Sequence, residues 1–198
     1  MSARPKAEVY EMSPSVPRIL NAILLVLSAA AKRSEIVTQY DVVKTIFLAD
    51  RAHLNKFGRP ITYDNYVAMK FGPVPSLVYD ILKVNRQALN KAGIEELPWT
   101  RREAPEIGSN CFVYEGPQRE PSEDILSPTD MDELEKALIV VKSLGFGQIK
   151  KLTHEDQAYI DAWEDESQQQ RFPMSYTLLF DVPNSGRAKE LAFLSEHL

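Results

Sequence analysis

The sequence is poor in residues that build disulfide or metal-bound frameworks. Cys111 is the only cysteine among 198 residues, and the three histidines, His53, His154 and His197, lie far apart along the chain. A single cysteine cannot form a disulfide within the chain or supply a cysteine-based zinc site. We therefore expect a fold held by its hydrophobic core, in a reducing, cytoplasmic setting.

Long hydrophobic runs are also missing. The longest apolar segment, residues 19–31, contains 13 residues, whereas a bilayer-spanning helix needs about 20. Glu8 and Glu11 precede this segment, and a signal peptide carries basic rather than acidic residues there. The segment therefore predicts a helix buried on most of its faces, not a membrane anchor or a secretion signal.

Motifs for catalysis or cofactor binding are absent from the sequence. The eight glycines form neither a phosphate-binding loop nor a dinucleotide fingerprint, and no Gly-x-Ser-x-Gly elbow occurs. His154-Glu155 would need a second histidine at position 158 to resemble a zinc protease, and Ala158 stands there. Asp50 and His53 lie three residues apart on one predicted helix, but two ligands do not make a metal site. We expect no catalytic residue, no metal and no cofactor, with a hydrolase of unknown type as a minor alternative.

The net charge is −5, and the charged residues are unevenly distributed along the chain. Residues 1–91 hold 13 Lys and Arg against 7 Asp and Glu, whereas residues 92–198 hold 10 against 21. The acidic half should repel nucleic-acid backbones, and the asymmetry suits a protein partner with a basic surface. The alternative is that these charges only solvate the exterior.

Hydrophobic spacing and capping residues predict a mainly α (α+β) protein, a compact helical domain with a small antiparallel hairpin or sheet. Helix starts are indicated near Ser15, at Thr38 with Asp41 three residues on, at Ser76, and at Ser127 with Pro128 and Asp130. The corresponding ends are expected at Lys32, Gly58, Gly93 and Gly145, and a further helical stretch should run from Gln148 to Trp163. Gly108-Ser109-Asn110 predicts a three-residue hairpin turn before Cys111.

Composition divides the chain into three parts. Residues 1–14 are polar and contain two prolines, which predicts a flexible N-terminus. Residues 15–163 form the helical domain. Residues 164–198 are expected to be an appendage docked on it, ending in an amphipathic helix over residues 187–196.

The order of these elements also permits a DNA-binding interpretation. Two helices, a stiff connection and a later hairpin occur in winged helix-turn-helix regulators. Their basic face would consist of Lys44, Arg51, Lys56, Arg59 and Lys70. The additional helix before the hairpin argues against this alternative, so nucleic acid is the less favoured partner.

Three stretches strongly resemble the Panacea domain family, also described as SocA-like antitoxins. They are residues 43–54 (VKTIFLADRAHL), 57–62 (FGRPIT) and 66–75 (YVAMKFGPVP). The matching motif residues are Gly58, Arg59, Pro60, Gly72, Pro73, Val74 and Pro75. His154, in Leu-Thr-His-Glu, and Trp163 look like the C-terminal signature of that family. The resemblance covers roughly residues 17–180.

The resemblance implies an antitoxin of a bacterial or phage toxin–antitoxin pair. Such a protein neutralises its cognate toxin, the product of the adjacent gene, by direct protein–protein contact. Delivery of the toxin to a AAA+ protease is a further mode described in the family. The family also implies a mainly helical fold with a small sheet, but it does not identify the toxin.

The motif suggests where such a partner would bind. Gly72 permits close backbone approach, and Pro73 and Pro75 fix the path of the chain, so that Lys70 and Phe71 are presented rigidly. We predict a contact patch of Asp50, Arg51, Lys70, Phe71 and Tyr79, because arginine and aromatic side chains dominate protein interfaces. The alternative is that the motif only joins two core helices and that its aromatic residues fill the core.

Overall fold

The computed structural model describes residues 6–164 and 169–198. The helices in these ranges are α1 (Val16–Lys32), α2 (Gln39–Phe57), α3 (Ser76–Leu82), α4 (Arg86–Lys91), α5 (Pro128–His154), α6 (Gln157–Ala162) and α7 (Ser185–Ser195). The strands are β1 (Val37–Thr38), β2 (Tyr66–Met69), β3 (Gly72–Pro75), β4 (Thr100–Glu103), β5 (Phe112–Glu115) and β6 (Phe172–Pro173). The predicted mainly α (α+β) class is confirmed.

The strands form two small antiparallel sheets, ordered β1-β5-β4 and β3-β2-β6. The predicted three-residue hairpin turn at residues 108–110 is wrong, because β4 pairs with β5 through Glu103 opposite Phe112, and residues 104–111 form the loop. Within that loop the amides of Ile107 and Gly108 donate hydrogen bonds to the carbonyl of Ala104. The loop therefore contains a turn of its own, and the sequence analysis took this local turn for the connection between the two strands.

The predicted helix caps are confirmed where they are local. The hydroxyl of Thr38 accepts from the amide of Asp41, whose carboxylate accepts from the Thr38 amide in return. Ser127 and Asp130 form the same reciprocal pair at the start of α5. Gly58, with φ of 78°, ends α2 in the left-handed conformation.

Two predicted helices are interrupted. The helix expected from Ser76 to Gly93 breaks at Val84, which has φ of 56°, and Asn85 caps a new helix, α4. Gly145, the predicted end of the helix that starts at Ser127, has non-helical φ of 70° and ψ of 178° and kinks α5 there, whereas the helical stretch expected to reach Trp163 ends at His154. Asp156 then caps α6 by accepting from the amides of Ala158 and Tyr159. In both places a capping side chain starts a helix in a new direction.

Helix α2 lies between two hydrophobic cores. Val42, Val43 and Ile46 face a core that contains α1, α3 and the start of α5, whereas Phe47 and Leu54 face a second core. Most of α1 is buried in the first core, as its apolar sequence predicts. In the part of the chain that is described, no helix is both long and apolar enough to cross a membrane.

The C-terminal region contributes residues to the second core. Phe172 in β6 pairs with Ala68 of β2. Tyr176 is 1% exposed and donates its hydroxyl hydrogen to the backbone oxygen of Asp64 at 2.6 Å. Leu191 of α7 is fully buried in the same core. Of the predicted appendage, residues 165–168 lie outside the described ranges.

The N-terminal segment is anchored as far as it is described. The amide of Met12 donates to the side chain of Asn65, and the amide of Ser13 donates to the hydroxyl of Ser195. The amide of Ala7 donates to the carboxylate of Asp161 at 3.0 Å. Side chains distant in sequence therefore bond to the backbone of this segment, and the flexibility of residues 1–14 stays a prediction; residues 1–5 are outside the described ranges.

Tyr176→Phe tests whether the C-terminal region belongs to the cooperative fold. Loss of the buried hydrogen bond to Asp64 should lower the free energy of unfolding by about 1–2 kcal/mol in a single transition, measured by urea denaturation. Tyr10→Phe is the matched control, because the Tyr10 hydroxyl donates to Glu8, which is exposed. A separate early transition that involves only the C-terminal region would contradict an integral role for Tyr176.

Candidate functional site

The hairpin β2–β3 presents the centre of the motif at the surface. Met69 pairs with Gly72, which leaves Lys70 and Phe71 as its two-residue turn. Both are exposed, Phe71 at 49%. Strand β3 is the edge of its sheet, where prolines are tolerated because no further strand needs their missing N–H. The prolines therefore stiffen an edge strand that carries the exposed turn.

Gly72 brings this hairpin into contact with the long helices. Its φ is 102°, and a Cβ at this position would lie 2.7 Å from Nζ of Lys44 and 2.7 Å from Oγ1 of Thr153. Any larger residue would collide with both α2 and α5. Glycine is thus required by the backbone conformation and also by the close approach.

Lys44 lies beneath the hairpin and is 1% exposed. Its ammonium donates to the backbone oxygen of Pro73 at 2.7 Å and lies 5.4 Å from the ring centre of Tyr40. Burial lowers the pKa of Lys44 to about 7, because the charged form loses its hydration. Lys44 therefore cannot belong to the exposed basic face considered for DNA binding.

The other residues of that proposed basic face are mostly engaged with carboxylates. Arg51 pairs with Asp156 and Asp181. Lys56 pairs with Glu133, and Arg59 pairs with Asp130. The residues of the predicted basic face therefore form separate ion pairs. Through its two pairs, Arg51 links α2 to α6 and to the segment before α7.

Asp50 is buried and lies outside any exposed patch. It is 2% exposed and accepts hydrogen bonds from the amides of Ile61 and Thr62 and from the hydroxyls of Thr62 and Tyr66. Burial raises the pKa of Asp50, and these hydrogen bonds oppose that effect. The carboxylate fixes the chain that leaves α2, so the expectation that Asp50 contacts a partner does not fit its position.

The Gly58-Arg59-Pro60 part of the motif is also held internally. Arg187 donates to the backbone oxygen of Gly58 at 2.8 Å, and Arg59 pairs with buried Asp130 at 3.0 Å. Pro60 is buried. This part of the motif secures the end of α2 against the C-terminal region and against α5.

His154 and Trp163 are brought together by a third ring. The His154 ring lies 4.4 Å from that of Tyr159, which stacks on Trp163 at 5.9 Å. The Tyr159 hydroxyl donates to the backbone oxygen of Met69 at 3.0 Å. This stack supports the base of the exposed hairpin turn.

A cavity of about 690 Å³ opens beside the turn. Lys70, Phe71 and Tyr79 line it, so the structure brings together three of the five predicted contact residues, but not Asp50 or Arg51. The other lining residues are Thr38, Gln39, Tyr40, Val43, Lys44, Met69, Val74, Asn110, Cys111, Phe112, Trp163, Gln169 and Gln170. We call this the aromatic cavity.

Three rings form a surface at its edge, which we call the aromatic patch: Tyr40, Phe71 and Phe146. The Phe146 ring lies 4.7 Å from that of Tyr40 and 5.7 Å from that of Phe71. Phe146 is 53% exposed. Lys70 and Lys150 each lie within 6 Å of the Phe71 ring centre, at 5.8 and 5.6 Å. The patch thus combines exposed aromatic area with two cations.

Comparison with family models identifies residues 42–160 as an antitoxin SocA-like, Panacea domain. The chain belongs to this family. The matched range covers more than half of the chain and includes most of α2, the hairpin and α5. It ends before Trp163. No curated protein and no solved structure matches the chain.

Within this Panacea domain the two parts of the sequence motif have different positions. The first part, ending at Pro60, is tied to internal partners, whereas Gly72, Pro73, Val74 and Pro75 place the exposed turn. Across the described residues there is no group of three or more His, Cys, Asp or Glu side chains placed to hold a metal ion. The surface features that the second part of the motif positions are the aromatic patch and the cavity beside it.

Sequence reasoning missed Phe146 and the position of Lys44. Phe146 stands between Gly145 and Gly147 at the kink of α5, and an aromatic residue between two glycines is the signal that could have indicated it. Lys44 interrupts the apolar run Val42-Val43-Lys44-Thr45-Ile46, where a lysine is unusual enough to suggest a special site.

Gly72→Ala tests the close approach of the hairpin. The added methyl group should cost about 1–2 kcal/mol for the positive φ and about 1–3 kcal/mol more for the collision, measured as a loss of unfolding free energy. Gly93→Ala is the control, because Gly93 has φ of 67° and open space around a Cβ. Equal losses for the two variants would refute the collision with Lys44 and Thr153.

Lys44→Met tests the burial of the ammonium. Removing a buried cation should raise the free energy of unfolding at pH 7 by about 1–4 kcal/mol. The parent should become more stable as pH rises from 7 to 10, because the unfolded chain binds more protons at Lys44 there, so the advantage of the variant should shrink. Lys136→Met, at an exposed lysine, should change stability by less than about 0.5 kcal/mol. A destabilised Lys44→Met at pH 7 would contradict this account.

Proposed function

We propose that this Panacea-domain protein is an antitoxin that neutralises a cognate toxin by direct contact, and that the aromatic patch is its contact surface. Family membership supports the antitoxin role. The observation that carries the choice of surface is the pair of half-exposed phenylalanines, Phe71 and Phe146, packed edge to face. The mechanism is occlusion, in which the antitoxin covers the functional surface of the toxin without acting as an enzyme.

Exposed aromatic rings are suited to this task. Aromatic side chains bury a large apolar area while ordering only two side-chain torsions, so they dominate the energetics of protein interfaces. The hairpin holds Phe71 on a proline-stiffened strand, and a rigid segment loses less entropy on binding. Phe146 lies at a helix kink and contacts both of the other rings, so the patch exists before a partner arrives.

The charges around the patch indicate the chemistry of the toxin surface. Lys70 and Lys150 both lie against Phe71, so the toxin should offer an acidic group beside an apolar hollow. The uneven charge distribution of the whole sequence instead favoured a partner with a basic surface. At this patch the local lysines determine complementarity, because screening in physiological salt limits the influence of distant charges to about 8 Å.

The test is rescue of growth. Expression of the adjacent gene from an inducible promoter should stop growth, and co-expression of this protein should restore it, with a stable complex recovered by purification. Replacing both Phe71 and Phe146 with alanine should weaken the affinity for the toxin at least about tenfold, because each ring is expected to contribute more than about 1 kcal/mol. The midpoint of thermal unfolding should change by no more than a few degrees.

Phe193→Ala is the matched control for loss of an exposed ring. Phe193 is 63% exposed on α7 and contacts His197, so this variant should rescue growth like the parent. Full rescue by the double variant would remove the aromatic patch from the interface. Rescue accompanied by disappearance of the toxin on an immunoblot would favour delivery to a AAA+ protease over occlusion.

A further inference from the structure

In its described lining, the aromatic cavity carries positive charge and no acidic side chain. Among its sixteen described lining residues two are lysines and none is aspartate or glutamate. A further cation lies against its rings, because the Arg101 guanidinium lies 3.5 Å from the Phe112 ring centre. Arg171 lies 5.1 Å from the Tyr79 ring centre but is paired with Asp80 at 3.4 Å. The whole chain carries a net charge of −5, so this local excess of cations opposes the overall balance.

Lys44 lines the cavity, is 1% exposed and has hydrogen-bond donors to spare. An ammonium has three N–H donors, and the hydrogen bond to Pro73 uses one of them. No carboxylate of the described residues lies within ion-pairing distance of Lys44; Asp41, one turn earlier on α2, pairs with Lys142. A buried charge without a counter-ion is costly, so a site of this kind favours an anion that supplies the missing charge.

The rest of the lining is suited to a flat apolar group. Tyr40, Phe71, Tyr79, Phe112 and Trp163 contribute five aromatic rings, and Val43 and Val74 add aliphatic surface. A volume of about 690 Å³ lies within the range of small-molecule pockets, about 300–1,000 Å³. A protein side chain inserted from a partner would fill only part of this space, which favours a small molecule.

We propose that the aromatic cavity binds a small organic anion, with its flat apolar body among the rings and its anionic group on the ammonium of Lys44. This site does not depend on the proposed toxin contact, since it requires only the isolated protein. A carboxylate, sulfonate or phosphate could each supply the charge, because all three accept hydrogen bonds from an ammonium.

A pair of matched fluorescent probes tests the proposal. Anilinonaphthalene sulfonate carries an anionic group, and phenylnaphthylamine has the same ring framework without it. In fluorescence titrations of the full chain at pH 6, the sulfonate should bind at one site and at least tenfold more tightly than the neutral probe. Equal affinity of the two probes would overturn the proposal.

Lys44→Met separates the role of the ammonium from the general apolarity of the cavity. This variant should lose at least tenfold in affinity for the sulfonate, while its affinity for the neutral probe should stay within about threefold of the parent. Lys136→Met should bind both probes like the parent, because Lys136 is exposed on α5 and does not line the cavity. A Lys44→Met variant that keeps the preference for the sulfonate would overturn the proposal.

The pH profile of the parent gives a second readout that needs no variant. Burial lowers the pKa of Lys44 to about 7, so the affinity for the sulfonate should fall above pH 7, by up to about tenfold per pH unit, while the affinity for the neutral probe stays constant. Of the residues that the structure describes, the other titratable groups around Lys44 are Tyr40 and Asp41 on α2, Lys70 on the hairpin, His154 on α5, Tyr79 on α3 and Cys111 before β5. A sulfonate affinity that is unchanged from pH 6 to pH 9 would overturn the proposal.

Discussion

The contact between the Lys44 ammonium and the Pro73 carbonyl holds the exposed hairpin against the helical body. It joins α2 to β3 at the point where Gly72 brings the backbone within reach of both α2 and α5. The contact buries a charge, which is costly in a fold that could have used an apolar side chain there. Despite this cost, the contact holds a stiff turn that exposes Lys70 and Phe71. It also places a cation in the lining of the aromatic cavity.

Local chemistry made much of the fold predictable. The capping boxes at Thr38 and Ser127 and the left-handed glycine at position 58 depend on residues within a few positions of one another, so the sequence reveals them directly. The break at Val84 and the restart at Asp156 were missed, because a helix can change direction wherever a capping side chain follows, even inside a continuous apolar pattern. The hairpin was misplaced for a similar reason, since a local turn near Gly108 looks like the turn between two strands.

The candidate site was harder to predict because burial there depends on elements distant in sequence. Lys44 and Asp50 are buried residues of α2, and both form hydrogen bonds to the hairpin, Asp50 also to the loop after α2. The motif identified the correct region but could not separate its internal part, near Arg59, from its exposed part, near Phe71. Phe146 lies about 75 residues from Phe71 in sequence, so no local pattern could place both rings on one surface.

The aromatic patch and the aromatic cavity share residues, and this sharing constrains how the molecule can work. Tyr40 and Phe71 each line the cavity and also contact Phe146 on the patch. Because both rings belong to the patch, an occupant of the cavity that moves either ring also changes the surface offered to a partner. Coupling between two ligands is reciprocal, so a toxin that reorients Phe71 must alter the affinity of the cavity by the same factor. The stiff hairpin confines that coupling to the rings, because the backbone beneath Phe71 is fixed by Gly72, Pro73 and Lys44.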